Sequence, residues 1–417
     1  MKTLCSVCSF FAIFAAVLSA KPLMLESAYK AAVEKTEFGA IQTAQKKQFE
    51  ARTEKAKAGL SPLLSLQSGY ALQGASGSGY ADSFMLALNV THPLYDGGAL
   101  SALYEQAKKL ERSKDYQLLA SRAELYALVA ACFYAVEAAE KDKKNIEAII
   151  KQTKEMIEEL KKRQFIGKAK HSEVLMVQAQ LSVLESDLEG AVRTINTSRE
   201  EFSFITGISK NVEIDSRDSG AIEAKELKFY LEAAVKHPDI LALETALEAA
   251  RMETELQAAG SLPGVSLTGN FYPVRTGALA GINWDAGLAL NIKLFDSGNI
   301  GFRVKEAANK EREAALNLEK KKKQTASVVN AVYDRLKSLL EQINKLKTAV
   351  EMSEKNYQEQ KKDYEFSLVT NIEVLQAMNS LQSAKRSLDR FGVEAHSALA
   401  ALLSSVALVP IIENKER

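Results

Sequence analysis

A strand pattern that runs directly into a helical one, and does so twice at the same spacing, restricts this chain more than any other feature. Phe84, Leu86, Leu88 and Val90 alternate with the small or polar Ala87, Asn89 and Thr91, the pattern of a half-buried strand. Pro93-Leu94-Tyr95-Asp96-Gly97-Gly98 ends it, and the residues beyond are rich in Ala, Leu, Glu and Lys, which favour helix. Asp96 is placed to cap that helix. About two hundred positions later, Leu290, Ile292 and Leu294 alternate with Asn291 and Lys293 before Phe295-Asp296-Ser297-Gly298 opens another helical run. The chain is an internal duplication, and a duplicated chain can build one elongated body instead of separate domains.

Each copy reads in the same order. Residues 26–60 carry a helical pattern that stops at Ser61-Pro62, because proline disfavours helix in the residue before it. Leu64, Leu66, Tyr70 and Leu72 then oppose Ser65, Gln67, Gly69, Ala71 and Gln73, and a Gly/Ser loop over 74–79 completes a hairpin with the strand at 83. From Gly97 to about Arg163 nothing interrupts the helical pattern. At 1.5 Å per residue that is about 100 Å. After a turn at Phe165-Ile166-Gly167-Lys168, a heptad seam runs through Val174, Val177, Leu181, Leu184, Leu188, Ala191 and Ile195.

In the second copy, residues 227–259 repeat the first helical pattern up to Ser261-Leu262-Pro263, and Val265, Leu267 and Phe271 mark the third strand. The fourth, over 282–294, has the clearest alternation of all. A second long helix is expected over 299–363. Beyond a turn at Phe366-Ser367-Leu368 the seam returns as Val374, Ala377, Leu381, Ala384, Leu388, Phe391 and Ala395, where alanines imply closer helix approach. The expected organisation is an export signal at 1–20, a first repeat over 21–210 with its hairpin at 63–92, and a polar equatorial connector at 211–226. A second repeat over 227–409 with its hairpin at 264–294 and a tail at 410–417 complete it.

Lys2, the apolar residues 10–18 and the small pair Ser19 and Ala20 stand in the order of a secretory signal, with Lys21 the first mature residue. Cys5 and Cys8 fall inside that signal, too early for a lipid-attachment site, so no lipid anchor is expected. Only Cys132 is left, on an Ala-rich helical stretch that reads as core, and one cysteine forms no internal disulfide. Removing Lys2 takes 54 basic residues to 53 against 53 acidic ones, a balance that argues against a nucleic-acid surface. The apolar residues 395–412 include His396, Ser397, Ser404, Ser405 and Pro410, and read as a buried helix end.

Strands of this length, apolar on one face and polar or small on the other, suit a membrane barrel and equally a soluble sandwich. The flanking helices are far too long to cover a small sheet, and the export signal permits an outer-membrane destination. Four strands cannot close a barrel, because a bilayer-spanning sheet must leave no edge and the smallest such barrels use about eight. Oligomerisation follows, with the helices continuing the barrel as a hollow tube. The reading from another class is a secreted periplasmic coiled-coil scaffold or adaptor without a pore, which has no need of barrel-length hairpins in both halves.

The strand-to-helix junctions with Asp96, Gly97, Gly98, Asp296 and Gly298, and the helix turns Phe165-Ile166-Gly167 and Tyr364-Glu365-Phe366-Ser367 before heptads, resemble the outer-membrane efflux protein family, the TolC-like channels. The resemblance covers nearly the whole mature chain. It implies an α+β membrane protein forming a homotrimer, with a twelve-stranded barrel among outer-membrane lipids and an α-helical barrel across the periplasm. It also implies passive conduction of substrates, in efflux or type I secretion, from a periplasmic adaptor (membrane fusion) protein and an inner-membrane pump of RND, ABC or MFS type. By motif position Glu173 and Tyr364 match the family's gate-linking carboxylate and tyrosine, and Glu373 an acidic ring residue. Gln376 stands where a second acid is frequent and Val369 where a basic latch is known, with Lys168 and Lys170 as substitute cations. Adaptor contact falls to Ile166, Gly167, Lys168, Phe366, Ser367 and Leu368.

Plainer roles weigh against several of these. Glu173 and Glu373 open helices, where acids suit the helix dipole, and Gly167 and Ser367 are turn residues. Trp284, Tyr70, Tyr80 and Tyr272 suit either an interfacial belt or ordinary packing, and Lys320 to Lys323 read as a solvated helix face. His92, His171, His237 and His396 have no metal-ligand spacing. Without a nucleophile motif, phosphate loop or paired acids, the chain reads as a non-enzymatic duct with no cofactor. Gln67, Asn89, Asn270, Asn283 and Asn291 are the expected bore lining.

Overall fold

The structure, a computed structural model, describes residues 23–75, 79–214, 222–277 and 279–410. The expected export signal, residues 215–221 of the connector and the tail beyond 410 lie outside them, as does the Tyr80 side chain. The elements are α1 (Leu25–Lys35), α2 (Glu37–Ala58), β1 (Leu63–Ala75), β2 (Gly79–Tyr95), α3 (Ala99–Phe165) and α4 (His171–Thr206). Then follow α5 (Leu227–Ala234), α6 (Pro238–Ala259), β3 (Gly264–Arg275), β4 (Trp284–Asn291), α7 (Asn299–Glu365) and α8 (Asn371–Ser405). The long helices α3 and α7 have 67 residues each.

The helix expected over 26–60 is two helices, and so is its mate over 227–259. Thr36 is extended, and its Oγ1 accepts from the Phe38 amide at 3.3 Å to start α2. The chain turns so tightly there that a Cβ on Gly39 would lie 2.1 Å from the Val33 carbonyl oxygen. In the second repeat His237 takes the place of Thr36: its Nδ1 accepts from the Asp239 amide at 3.2 Å, and Pro238 occupies the first turn. Burial pushes the His237 imidazole below its ordinary pKa, which keeps that nitrogen an acceptor.

The strands form one antiparallel sheet in the order β1-β2-β3-β4. The β2–β3 pair joins the two repeats, with Asn89 opposite Asn270. Its register shifts at Leu86/Leu88 and at Pro93/Tyr95, the latter at a residue that has no amide hydrogen to give the ladder. Despite its clear alternation, β4 covers only Trp284–Asn291. Its last pair is Asn291 with Gly264, and the preceding Pro263 offers no donor with which to extend the ladder past it. One face of the sheet is apolar and open: Leu64, Leu66, Leu288 and Leu290 are each about two-thirds exposed, at 66%, 65%, 70% and 66%. Tyr272 is not on that face. It shares the polar face with Asn270, so the belt reading does not hold for it.

α3 is the spine against which α1, α2, α4, α6 and α8 pack. The α4 seam points inward, with Val174, Val177, Leu184 and Ala191 buried. α8 buries one stripe on α7 and another on α3, and its small residues Ala377 and Ala395 are fully inside. A polar ladder locks α8 to α3. From end to end it comprises Ser404 Oγ donating to the Ala123 carbonyl at 2.6 Å, His396 stacked on Tyr134, and Arg386 donating twice to Asp142 at 2.6 and 2.9 Å. Asn145 then donates to Asp389 at 2.8 Å and Gln382 to Gln152 at 3.0 Å. Cys132 is half-buried beside the cluster of Tyr29, Val129 and Phe133. The lysine run is not merely solvated: Lys321 and Lys322 reach Asp239 and Glu244 on α6 at 2.5 and 2.8 Å.

At each strand-to-helix junction an aspartate does the capping from two residues before the helix cap. Asp96 accepts from the Gly98 amide at 3.0 Å and the Leu100 amide at 2.5 Å; Asp296 accepts from Gly298 at 2.9 Å and Ile300 at 2.7 Å. Those amide bonds hold the Asp296 carboxyl below its ordinary pKa. Gly97 and Gly98 lie at φ 74° and 89°, and a Cβ on Gly97 would stand 2.7 Å from both the Ala259 carbonyl oxygen and Leu262 Cβ, whereas one on Gly98 would meet nothing. Gly98→Ala is therefore expected to cost about 1 kcal/mol from backbone strain alone. Gly97→Ala adds the clash and is expected to exceed ~2 kcal/mol, which a larger fall in thermal midpoint by circular dichroism would register.

Candidate functional site

Two regions collect the residues expected to matter: the turns that end α3 and α7, and the polar face of the sheet. Both turns have the same backbone. The Gly167 amide bonds to the Gln164 carbonyl at 2.9 Å and the Lys168 amide to Arg163 at 2.8 Å; the Ser367 amide bonds to Tyr364 at 3.1 Å and Leu368 to Asp363 at 2.9 Å. These are Schellman closures around a left-handed residue, Gly167 at φ 75° and Ser367 at φ 59°. They hold four large apolar side chains out in water: Phe165, Ile166, Phe366 and Leu368 are 93%, 62%, 76% and 73% exposed.

The two helix starts that follow are built differently. Glu373 makes a capping box, its Oε2 accepting from the Thr370 amide at 2.6 Å and from Thr370 Oγ1 at 2.9 Å. Those bonds hold its carboxyl below its ordinary pKa. Its structural role as a cap is thus plain, although the group stays exposed and charged. Glu173 stands at the same point of α4, but Lys170 at the N-cap supplies no side-chain bond, and Glu173 is half-buried. Asn371 is 2% exposed, and neither amide atom has a hydrogen-bond partner.

Tyr364 is where the two halves meet at the tips. The Arg163 guanidinium lies 3.9 Å over its ring, donates from Nη1 to its backbone carbonyl at 3.1 Å, and is steadied by Glu159 at 3.2 Å. Burial pushes the Tyr364 hydroxyl up, the Arg163 charge pulls it back, and the Glu159 and Glu173 carboxylates add to the rise. The cation beside Tyr364 is Arg163; the side chains of Lys168 and Lys170 are exposed and make no ion pair among the described residues. Val369 is half-buried and Gln376 exposed. In the sequence Arg163 marks only the end of a long helical pattern; the signal for a role is its place one residue before the position matching Tyr364 in the first repeat.

On the sheet's polar face a chain of hydrogen bonds crosses three strands. Asn89 Nδ2 donates to Asn270 Oδ1, Asn270 Nδ2 to Asp285 Oδ1 at 2.6 Å, and the Tyr272 hydroxyl to Asp285 Oδ2 at 2.7 Å. Arg275 sits 4.2 Å over the Tyr272 ring. Asp285 and Arg275 join the expected lining; Asn283 immediately precedes β4 and Asn291 is its last residue.

The family described as outer membrane efflux protein matches residues 40–207 and 230–407. Among solved structures, CusC is similar over 92% of this chain and 91% of its own, at 17% identity and a TM-score of 0.84. The outer membrane protein VceC of Vibrio cholerae matches at 20% identity over 92% and 96%, with a TM-score of 0.80. The MtrE outer membrane channel of Neisseria gonorrhoeae, in its open state, matches at 16% over 92% and 88%, with a TM-score of 0.79. At these identities the likeness is one of fold. No curated protein sequence matches the chain.

The Glu373 cap yields a pH dependence of definite sign. A carboxyl whose folded pKa is depressed stabilises above its unfolded value, near 4.5, and ceases to do so as pH falls through the lower folded value. Amide hydrogen exchange at the start of α8 is expected to accelerate, beyond its intrinsic pH trend, below pH 4.5. At the start of α4, which has no such box, no matching change is expected.

Proposed function

Because the chain belongs to the outer membrane efflux protein family, we propose that it is the exit duct of a tripartite efflux or type I secretion system. Three copies would close a twelve-stranded barrel in the outer membrane, and their helices would continue it across the periplasm as a tube. The observation that carries this reading is the sheet itself. Its apolar face is open along the outer strands, and among the described residues β1 and β4 each have one strand neighbour. Such a sheet is at rest in lipid only when its edges are joined to others. The polar row from Asn89 to Asp285 would then line the bore.

The duct would be passive, with energy coming from an inner-membrane pump through a periplasmic adaptor. The exposed Phe165, Ile166, Phe366 and Leu368, with Gly167, Lys168 and Ser367 between them, would be the adaptor's contact. Glu173, Glu373 and Gln376 would ring the constriction at that end. The Arg163–Tyr364 clamp would hold the two helix pairs of one protomer together while it is closed. The two repeats and the connector would be the units that tilt against one another.

Single-channel recording of the detergent-purified protein in a planar bilayer tests this. Small cation-selective openings are expected, with selectivity reduced in Glu373→Ala. Arg163→Ala is expected to raise open probability about fivefold, the equivalent of ~1 kcal/mol for a partly exposed cation–π contact. Protein that stays soluble and conducts nothing would overturn the duct in favour of a periplasmic scaffold.

A further inference from the structure

The upper ends of α2 and α3 enclose a groove of about 310 Å³, within the range of small-ligand pockets. Its walls are Phe49 and Ala56 on α2 and Leu103, Ala107 and Leu110 on α3. Leu103 and Leu110 are 36% and 37% exposed. At the end nearest the sheet it is shut: a Cβ on Gly59 would meet Leu100 Cδ2 at 3.3 Å. Two cations stand on its rim, Arg52 and Lys55. Arg52 lies 4.8 Å over the Phe49 ring, and neither has an ion-pair partner among the described residues.

The duplication provides an internal control. Helix α6 starts and ends 201 positions after α2, and α7 starts 200 after α3, so Phe49 and Arg52 correspond to Ala250 and Glu253, and Leu103 and Leu110 to Arg303 and Lys310. If the apolar lining merely served helix packing in this architecture, the second repeat would have it too. Instead, the second repeat lacks the aromatic wall, carries an acid in place of Arg52, and sets cations where the first has leucines. A second copy of the chain does not account for the groove either. α6 packs between α3 and α7, so by the repeat's symmetry a neighbouring copy's α7 meets α2 on the side turned away from the leucine wall, and Arg52, whose mate Glu253 accepts from Gln106 on α3 at 2.7 Å, is the rim residue within its reach.

We infer that this groove binds an anionic amphiphile, a molecule with an apolar body for the Phe49, Leu103 and Leu110 walls and a carboxylate or similar head for Arg52 and Lys55. Apolar burial supplies most of the attraction. The unpaired rim cations select the charge of the head, and Phe49 holds the Arg52 guanidinium in place through its ring. The inference concerns one protomer's helices and stands apart from whether the assembled chain conducts.

Photolabelling tests it with site resolution: the full-length oligomer in neutral maltoside detergent, a diazirine-tagged dodecanoate as probe, and the equally tagged dodecanol as its neutral counterpart. Dodecanoate is expected to label peptides from α2 and α3 around Phe49 and Leu103, and untagged dodecanoate to displace it. Arg52→Gln with Lys55→Gln is expected to reduce that label about fivefold, ~1 kcal/mol for exposed charge pairing, and to leave dodecanol labelling unchanged. Leu103→Arg with Leu110→Lys, which installs the second repeat's residues on an exposed helix face, is expected to abolish it while the oligomer stays intact. Labelling confined to the sheet, equal labelling in both double variants, or labelling that appears only after the oligomer is dissociated would each overturn the inference. The last outcome would mean that a second copy fills the groove.

Discussion

In the proposed assembly, backbone amides and carbonyls along the edges of β1 and β4 must find partners, because the apolar face beside them would lie in hydrocarbon, where no water serves. In hydrocarbon an unsatisfied backbone group costs several kcal/mol, far more than any single side-chain contact in this fold. In the proposed assembly this requirement fixes much else. Edges that must be joined demand further copies of the chain, and copies joined as a closed barrel place the polar row of Asn89, Asn270 and Asp285 inside it. The helices then have to leave the barrel's rim without opening it, which is the task of the two aspartate junctions.

Those junctions show how the duplication is used unequally. Asp96 and Asp296 make the same pair of amide bonds, so the turn from strand to helix is set locally. Gly97 is pressed against Ala259 and Leu262, whereas its mate Ser297 holds a left-handed conformation with a side chain. The difference lies in what is packed alongside: within one chain α6 abuts the first junction. The helix tips repeat the theme. Identical Schellman turns carry a full capping box at Glu373 and none at Glu173, while Arg163 spans the two.

Much of this was legible in the residues because it depends on periodicity. The heptad seams, the strand-to-helix junctions and the alternation of β1 to β3 are repeats of small period, and the buried Val174, Val177 and Leu184 lie where the seam put them. What could not be read was governed by distant neighbours. The length of β4 is limited by where β3 begins, not by its own alternation. Thr36 interrupts a strongly helical stretch through one hydroxyl bond and a close backbone approach at Gly39. Tyr272 lies on the polar face because it shares the parity of Asn270 along β3, and its hydroxyl reaches diagonally to Asp285, the register partner of Asn270. Among the proposed site residues, family likeness directed attention to Tyr364 and the glutamates. The cation that meets Tyr364 lies about two hundred positions away in sequence, on the other repeat, and only folding brings it there.

The β2–β3 pairing carries one more implication. Asn89 and Asn270 are 181 residues apart, and α3, α4, the connector, α5 and α6 lie between β2 and β3. The first hairpin therefore has a bare, apolar-faced edge throughout the synthesis of the intervening chain. Contacts of such separation form late, after local helix and hairpin structure. The sheet is thus the last part of each protomer to close. Until it does, the exposed strand is the segment most open to mispairing with other chains, so the duplication that makes the architecture economical in sequence also makes its assembly slow.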